Sequence, residues 1–264
     1  MKSKEKRFNF ICGSILTAIV VIPAIISVFY TPYSPEMMDA SAKLAGVSMQ
    51  HLLGCDNFGR DILSRIMVGS RMTLLIACGT VFIGVFLGTI LGAAAGYFGG
   101  LLDEFLMRIN DAVFAFPSIL LALVFISLFG SGKYQVMIAL GIAFIPSYAR
   151  IVRGEFIKYR NMDYIQSARL AGAGNFRIMF VHILPNAFPV LLSSIMIGFN
   201  NAVLAEASMS FLGIGVQPPD ASLGRMLSEA QTYIFSAPTF ALFPGIAIIM
   251  MVLGFSLLGE AWKR

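Results

Sequence analysis

Charge is scarce in this chain. Asp, Glu, Lys and Arg make up 12% of its 264 residues, about half the share of a soluble globular domain. Histidine occurs twice, tryptophan once and cysteine three times. Cys12 and Cys78 fall inside apolar runs and Cys55 stands alone in a polar stretch, so neither a disulfide framework nor a metal-type spacing is present. His51 and His182 are not spaced with a carboxylate for zinc hydrolysis, and no Gly-x-Ser-x-Gly elbow occurs. These absences argue against an enzyme. What fills the chain is apolar: 58% hydrophobic residues, with Phe alone present 23 times. One soluble core could not hide that much apolar surface, and exposing it to water would drive aggregation. The composition points to an all-α integral membrane protein.

A helix crossing about 30 Å of hydrocarbon needs roughly 20 apolar residues. Stretches free of Asp, Glu, Lys and Arg run from Phe8 to Pro35, Met72 to Leu102, Ala112 to Gly132, Tyr134 to Ala149, Ile178 to Ala205 and Ala230 to Gly259. They predict six transmembrane helices. The fourth run is short, and its helix extends through Arg150 toward Arg153, whose long side chains reach the interface. The first has a basic start but exceeds a usual signal-peptide core, so an uncleaved span is expected. A Gly-rich run from Ala207 to Pro219 reads as a re-entrant or surface segment.

The net charge of +5 is distributed unevenly. With the N-terminus inside, the inner segments hold 13 of the 19 Lys and Arg residues and the outer ones 6. That asymmetry favours both termini in the cytoplasm, and it explains the basic residues without nucleic acid. A large polar loop then lies outside at residues 31–71 and another inside at residues 150–185.

Gly84, Gly88, Gly92 and Gly96 recur every four residues and line one helix face, where missing side chains let another backbone come close. Pro23, Pro117, Pro146, Pro189 and Pro244 interrupt the spans. Asn200, Asn201 and Glu206 put polar groups near or within the fifth span, either lining a pathway or, for Glu206, meeting water at the outer interface. Asp111 reads as an inner-boundary residue. Gly130-Ser131-Gly132-Lys133 imitates a phosphate-binding loop, but Ser127 and Tyr134 stand where the full pattern needs Gly and Ser or Thr. It is a turn, and energy from ATP has to come from another chain.

In the inner loop, Asp163 and Gln166 are placed as a capping box, Gln166–Ala171 as a short helix, and Gly172 or Gly174 as its left-handed stop. A second short helix is expected from Asn175 to a break at Pro185. The small residues Ser167, Ala168, Ala171, Gly172 and Ala173 suit close contact with another protein, although a plain amphipathic connector fits the same residues.

This loop resembles the coupling motif of ABC-importer permeases: Glu-Ala-Ala, three residues, Gly, nine residues, Ile-x-Leu-Pro. Gln166, Ser167 and Ala168 stand for the triad, Gly172 for the glycine, His182 for the isoleucine, and Leu184-Pro185 for the end. The departures are Gln for Glu, Ser for Ala and His for Ile. The end of this motif, followed by Asn186, is similar to the dipeptide, oligopeptide and nickel branch. So is the His51–Arg71 stretch, with Gly59-Arg60-Asp61, Arg65 and Arg71 as its structural signature, and so is Ser210–Pro219. The short N-terminus and single long outer loop look like the C-type permease of a pair.

The resemblance implies a type I ABC importer permease fold, with a first helix and outer loop over residues 1–70. The permease core would cover 71–264, and its coupling loop would lie at about 154–185. It implies that Asp163, Gln166, Ser167, Ala168, Gly172, Ala173, Leu184 and Pro185 meet an ATPase. Asn200, Asn201, Glu206, Phe211 and Gln217 become candidates for the pathway or the extracytoplasmic face. Implied partners are a homologous B-type permease, two ATP-binding subunits, an extracytoplasmic binding protein and membrane lipid, in the plasma membrane of a prokaryote. ATP and Mg would sit on the partner subunits, with no cofactor or metal in this chain. Small peptides are the expected cargo and nickel or its chelate the alternative. A secondary transporter is the more distant reading.

Overall fold

A computed structural model describes residues 2–262. Its helices are α1 (Lys2–Ile26), α2 (Ile62–Phe98), α3 (Gly100–Phe114), α4 (Ser118–Phe129), α5 (Lys133–Arg160), α6 (Asp163–Leu170), α7 (Asn175–Arg177), α8 (Leu184–Phe211), α9 (Leu223–Ala230) and α10 (Pro238–Trp262). A π-turn, Ile178–Ile183, joins α7 to α8. Among the described residues the only extended pairing is an isolated bridge between Cys55 and Asp61. Among the described residues five helices are long and apolar enough to cross a membrane, or six if the α3–α4 pair is one span. Lys263 and Arg264, counted above with the inner segments, lie outside the described residues.

The span boundaries depart from the charge-free runs for identifiable reasons. The third run was expected as one helix over Ala112–Gly132, whereas α3 and α4 meet at 85°. Pro117 begins the new direction, because the residue before a proline is driven out of the helical region. The second span starts ten residues earlier than Met72, at Ile62, since Arg65 and Arg71 find polar partners outside the helix, in Glu229 of α9 and the Ser27 carbonyl just past α1. The fourth reaches Arg160. The sixth begins at Pro238, and Ala230 instead ends α9.

The expected break at Pro185 does not occur. Helix continues from Asn175 to Phe211 as one span of 37 residues. Proline has no N–H to donate and its ring presses on the preceding turn. The π-turn absorbs this: the Leu184 N–H donates five residues back to the Met179 carbonyl, widening the turn before the proline.

The chain divides into two compact units, residues 1–78, 125–137 and 199–264 in the first, and 79–124 and 138–198 in the second. In the first unit, α1 packs on α10 through glycines. A Cβ at Gly13 would lie 2.9 Å from the Leu258 nitrogen, and one at Gly254 2.9 Å from that of Thr17. Ile62, Met226, Ala230, Ala237 and Phe240 form a buried cluster that fixes α9 against the starts of α2 and α10.

In the second unit the four-residue glycine repeat is a seam between α2 and α5. A Cβ at Gly88 would stand 2.7 Å from the Tyr148 Cβ, and one at Gly96 2.7 Å from the Phe156 Cβ. At Gly92 it would overlap the Ala149 carbonyl oxygen, which is backbone and cannot swing away. Gly92→Leu is therefore expected to force α2 and α5 apart. Overpacking of this kind costs about 1–3 kcal/mol, a fall in Tm of roughly 2–12 °C in detergent at 2–4 °C per kcal/mol. An unchanged Tm would show that the seam is not formed.

Candidate functional site

The loop between α5 and α8 belongs to the second unit. Helix α6 starts at Asp163, but the residue before it, Met162, occupies the N-cap position and makes no side-chain cap. The expected capping box is not formed: the Gln166 amide donates weakly to the Asn161 carbonyl at 3.4 Å, and the Ser167 hydroxyl donates to the Asp163 carbonyl at 2.9 Å. The helix end is well defined. Gly172 has φ +83°, its N–H donates to the Arg169 carbonyl, and the Ala173 N–H donates to the Ala168 carbonyl. Those two bonds are a Schellman stop, and the positive φ is the reason glycine stands there. Gly174 instead precedes α7 with extended backbone.

One side chain of α6 anchors the loop. Ile165 is fully buried, as are Ile178 and Ile183 of the π-turn on which α6 packs. Asp163, Gln166, Ser167, Gly172, Leu170 and Phe176 are exposed, with Leu170 at 91% and Phe176 at 79%. Ala168 and Ala173 are half-buried, Leu184 is half-buried and Pro185 is exposed. The result is a turn with a closed underside and an outer face that exposes Leu170 and Phe176 beside polar Asp163, Gln166 and Ser167.

Behind it, Arg153 of α5 holds Asp103 of α3 through two bonds of 2.5 and 2.7 Å, and Arg160 donates to the Gly96 carbonyl at 2.9 Å. Arg150 pairs with Asp111 at 2.6 Å, and Asp111 is exposed. Tyr97 at the end of α2 donates to the Asn175 side chain at 2.8 Å, which ties the elbow to that helix.

The first unit carries a buried charge cluster. Asp56 Oδ1 accepts from the Phe58 and Arg60 N–H groups, and its Oδ2 takes the Arg60 Nε at 2.6 Å. Arg60 and Arg65 both reach Glu229 of α9, at 2.8 and 3.0 Å. Arg60 thus pairs with Asp56 and not with Asp61. Asp61 caps α2 instead, accepting from the Ser64 N–H at 2.8 Å, and its other oxygen meets His51 Nδ1 at 3.0 Å. Gly59 has φ +76°, and a Cβ there would collide with the Asp39 carbonyl oxygen. The signature residues therefore fold the loop onto the start of α2 and onto α9. Burial, followed by the charges of Asp61, Asp56 and Asp39, pushes the Cys55 thiol up to about 11, so it carries almost no thiolate at neutral pH.

Glu206 is placed differently from either expectation. It neither lines an open pathway nor meets water, being fully buried. Its oxygens accept from the Thr73 and Ser210 hydroxyls at 2.7 Å each, and the Ser222 hydroxyl also bonds it. Each of these hydroxyls receives a backbone N–H of its own, from Leu223, Val216 and Arg225 respectively. Their own hydrogens are thereby directed to the carboxylate, which is how a buried acid without a cation is satisfied. Glu206 thus ties α8 to α2, to the turn after Phe211 and to the N-cap of α9.

Asn201 is exposed and Asn200 half-buried, with the Asn200 Oδ1 finding no partner among the described residues. Phe211 is exposed, and the Gln217 amide turns inward to the Gly213 and Gly215 carbonyls. Glu229 was not anticipated. Its only sequence signal is Arg225 one helical turn earlier, whose Nε reaches it at 3.3 Å.

Membrane-length helices, a glycine-seamed pair and an exposed elbow define a multi-pass membrane permease subunit. The chain belongs to the family described as binding-protein-dependent transport system inner membrane component, whose model matches residues 84–264. It is 39% identical over 254 residues to the glutathione transport system permease protein GsiD of Pectobacterium atrosepticum, covering 96% of this chain and 84% of that one. It is 38% identical over 262 residues to the dipeptide transport system permease protein DppC of Alkalihalophilus pseudofirmus, covering 99% and 86%. In structure it is similar to an inward-facing MetNI methionine ABC transporter, with a TM-score of 0.60, 20% identity and coverage of 74% of this chain and 95% of that chain. That likeness carries the fold: an ABC importer permease. The family implies a partner permease and ATPase subunits.

Proposed function

We propose that this chain forms half of the translocation pathway of an ATP-driven importer for small peptides and transmits ATPase motion through its α6 elbow. The observation that carries the reading is the elbow itself: a Schellman-closed turn, anchored by Ile165, that leaves Leu170 and the Phe176 ring, stacked on Phe180, exposed. Such a surface suits a groove on another protein. The chain would do no chemistry itself, with ATP and Mg held by two ATPase partners. Asp163, Gln166, Ser167, Ala168, Gly172 and Ala173 are the proposed contact, and Leu184 and Pro185 its hinge. Closure of the ATPase pair would shift the spans between inward-open and outward-open states, a population shift driven by differential binding.

The charge asymmetry supports an elbow and both termini in the cytoplasm. The loop built on Asp56, Gly59, Arg60 and Asp61 would then face outward, toward a binding protein that delivers cargo. Asn200 and Asn201 are the proposed pathway groups of α8. Peptides are preferred to nickel because the two relatives described above carry the names of glutathione and dipeptide transport systems. The test is uptake into proteoliposomes holding the complex, with binding protein and a labelled dipeptide. Uptake should require ATP. Uptake driven by an ion gradient without ATP, or of nickel alone, would contradict the reading.

A further inference from the structure

Two cavities in the first unit are lined by successive residues of α2, Met67 and Ser70 in one, Val68 and Arg71 in the other. One is apolar, about 260 Å³, and lies among Val20 and Pro23 of α1, Met67 and Ser70 of α2, and Phe243 and Ala247 of α10. Ser70 is its polar exception. The side chain is 1% exposed and its Oγ finds no hydrogen-bond partner among the described residues, although a helical serine can usually bond the carbonyl one turn back. The other cavity, about 270 Å³, is polar and lined by Ser27, Thr31, Glu36, Arg71 and Asp220. Arg71 donates once, to the Ser27 carbonyl at 3.2 Å, and pairs with no carboxylate among the described residues. Glu36 likewise pairs with no cation among them, whereas Asp220 already holds Lys133 at 2.9 Å.

The two spaces follow one another along α1. From Ser27, just past the end of the span, to Ile19 is eight residues, about 12 Å of helix. The exposed Phe29, Tyr30 and Tyr33 beside the polar space mark the level where hydrocarbon gives way to headgroups. A guanidinium short of partners, a free carboxylate within the same cavity, and an apolar cleft one to two turns deeper together complement one molecular shape. That shape has a phosphate, a neighbouring ammonium and a hydrocarbon tail.

We propose that this is a binding site for one phosphatidylethanolamine molecule. Its phosphate sits on Arg71 and its ammonium on Glu36. One acyl chain fills the cleft, where the Ser70 hydroxyl donates to a lipid carbonyl. A bound lipid would brace α1 against α2 and α10, and the site requires only that the chain is embedded in a membrane, whatever its cargo.

The experiment is native mass spectrometry of the assembled complex in mild detergent, stripped of lipid and offered equal amounts of phosphatidylethanolamine and phosphatidylglycerol. One phosphatidylethanolamine per copy of this chain is expected to be retained in preference. Arg71→Gln removes the cation, and Ser70→Leu fills the cleft and removes the orphaned hydroxyl. Each should lower occupancy roughly tenfold with the complex mass unchanged, the scale of one charge-assisted contact. Ser70→Leu decides the matter if Arg71→Gln fails to assemble. Equal binding of phosphatidylglycerol, wild-type retention by Ser70→Leu, or release of a peptide from the site in place of lipid would each overturn the proposal.

Discussion

Gly172→Val is expected to lower ATP-driven peptide uptake at least about tenfold below wild type, while the chain still inserts and its Tm falls by only about 2–8 °C. A Cβ at residue 172 meets nothing within 4 Å in this chain, so the substitution makes no internal clash. What it opposes is the backbone, since φ of +83° costs a residue with a side chain about 1–2 kcal/mol, and a β-branched one more. The two bonds that close α6 would be lost, and with them the shape offered to the ATPase. Asn tolerates the left-handed region better than other residues with side chains. Gly172→Asn should therefore retain most activity and exceed Gly172→Ala. Equal activity in Gly172→Val and wild type would remove the elbow from the coupling mechanism. Loss in Gly172→Asn as severe as in Gly172→Val would mean that the partner's groove, not the turn, excludes the side chain.

Asp56→Ala is expected to be the most destabilising single change in the loop between α1 and α2. Asp56 is fully buried and accepts from two backbone N–H groups and from Arg60, with Arg65 Nε at 3.4 Å. Its removal leaves two buried guanidiniums sharing Glu229 alone. Breaking a buried ion pair from one side costs about 3–5 kcal/mol, because the stranded charge stays desolvated. The loop, α9 and the start of α2 should loosen together, and Tm should fall by roughly 6–20 °C at 2–4 °C per kcal/mol. Asp56→Asn, which keeps an acceptor for the Phe58 N–H, should cost less than Asp56→Ala. A Tm within a degree of wild type for Asp56→Ala would show that the cluster is not closed in the folded protein.

Sequence made the membrane class and the elbow legible because both rest on local pattern. Long apolar runs mark spans whatever they pack against, and glycine spacing marks a seam without naming its partner. Boundaries were less legible. Excluding charged residues cut the second span short at Met72, since nothing local shows that Arg65 will find Glu229, 164 residues away. The bend at Pro117 and the continuity through Pro185 have opposite outcomes from the same residue type. The difference lies in the π-turn that precedes Pro185. Glu206 read as a pathway or interface group because its donors come from elsewhere in the chain, Thr73 being 133 residues distant. A capping box at Asp163 was plausible by spacing, but the helix starts one residue too early for that side chain to serve as its cap.

In the proposed function this chain works as one permease half of a larger ATP-driven assembly, engaged through the α6 elbow. Native mass spectrometry of the complex pulled down through a tag on this chain tests it most directly. The expected result is a particle containing this chain, one homologous permease and two ATPase subunits, with the ATPases lost from the Gly172→Val variant or held without productive coupling. A lone chain or a homodimer that transports without ATPase subunits would contradict it.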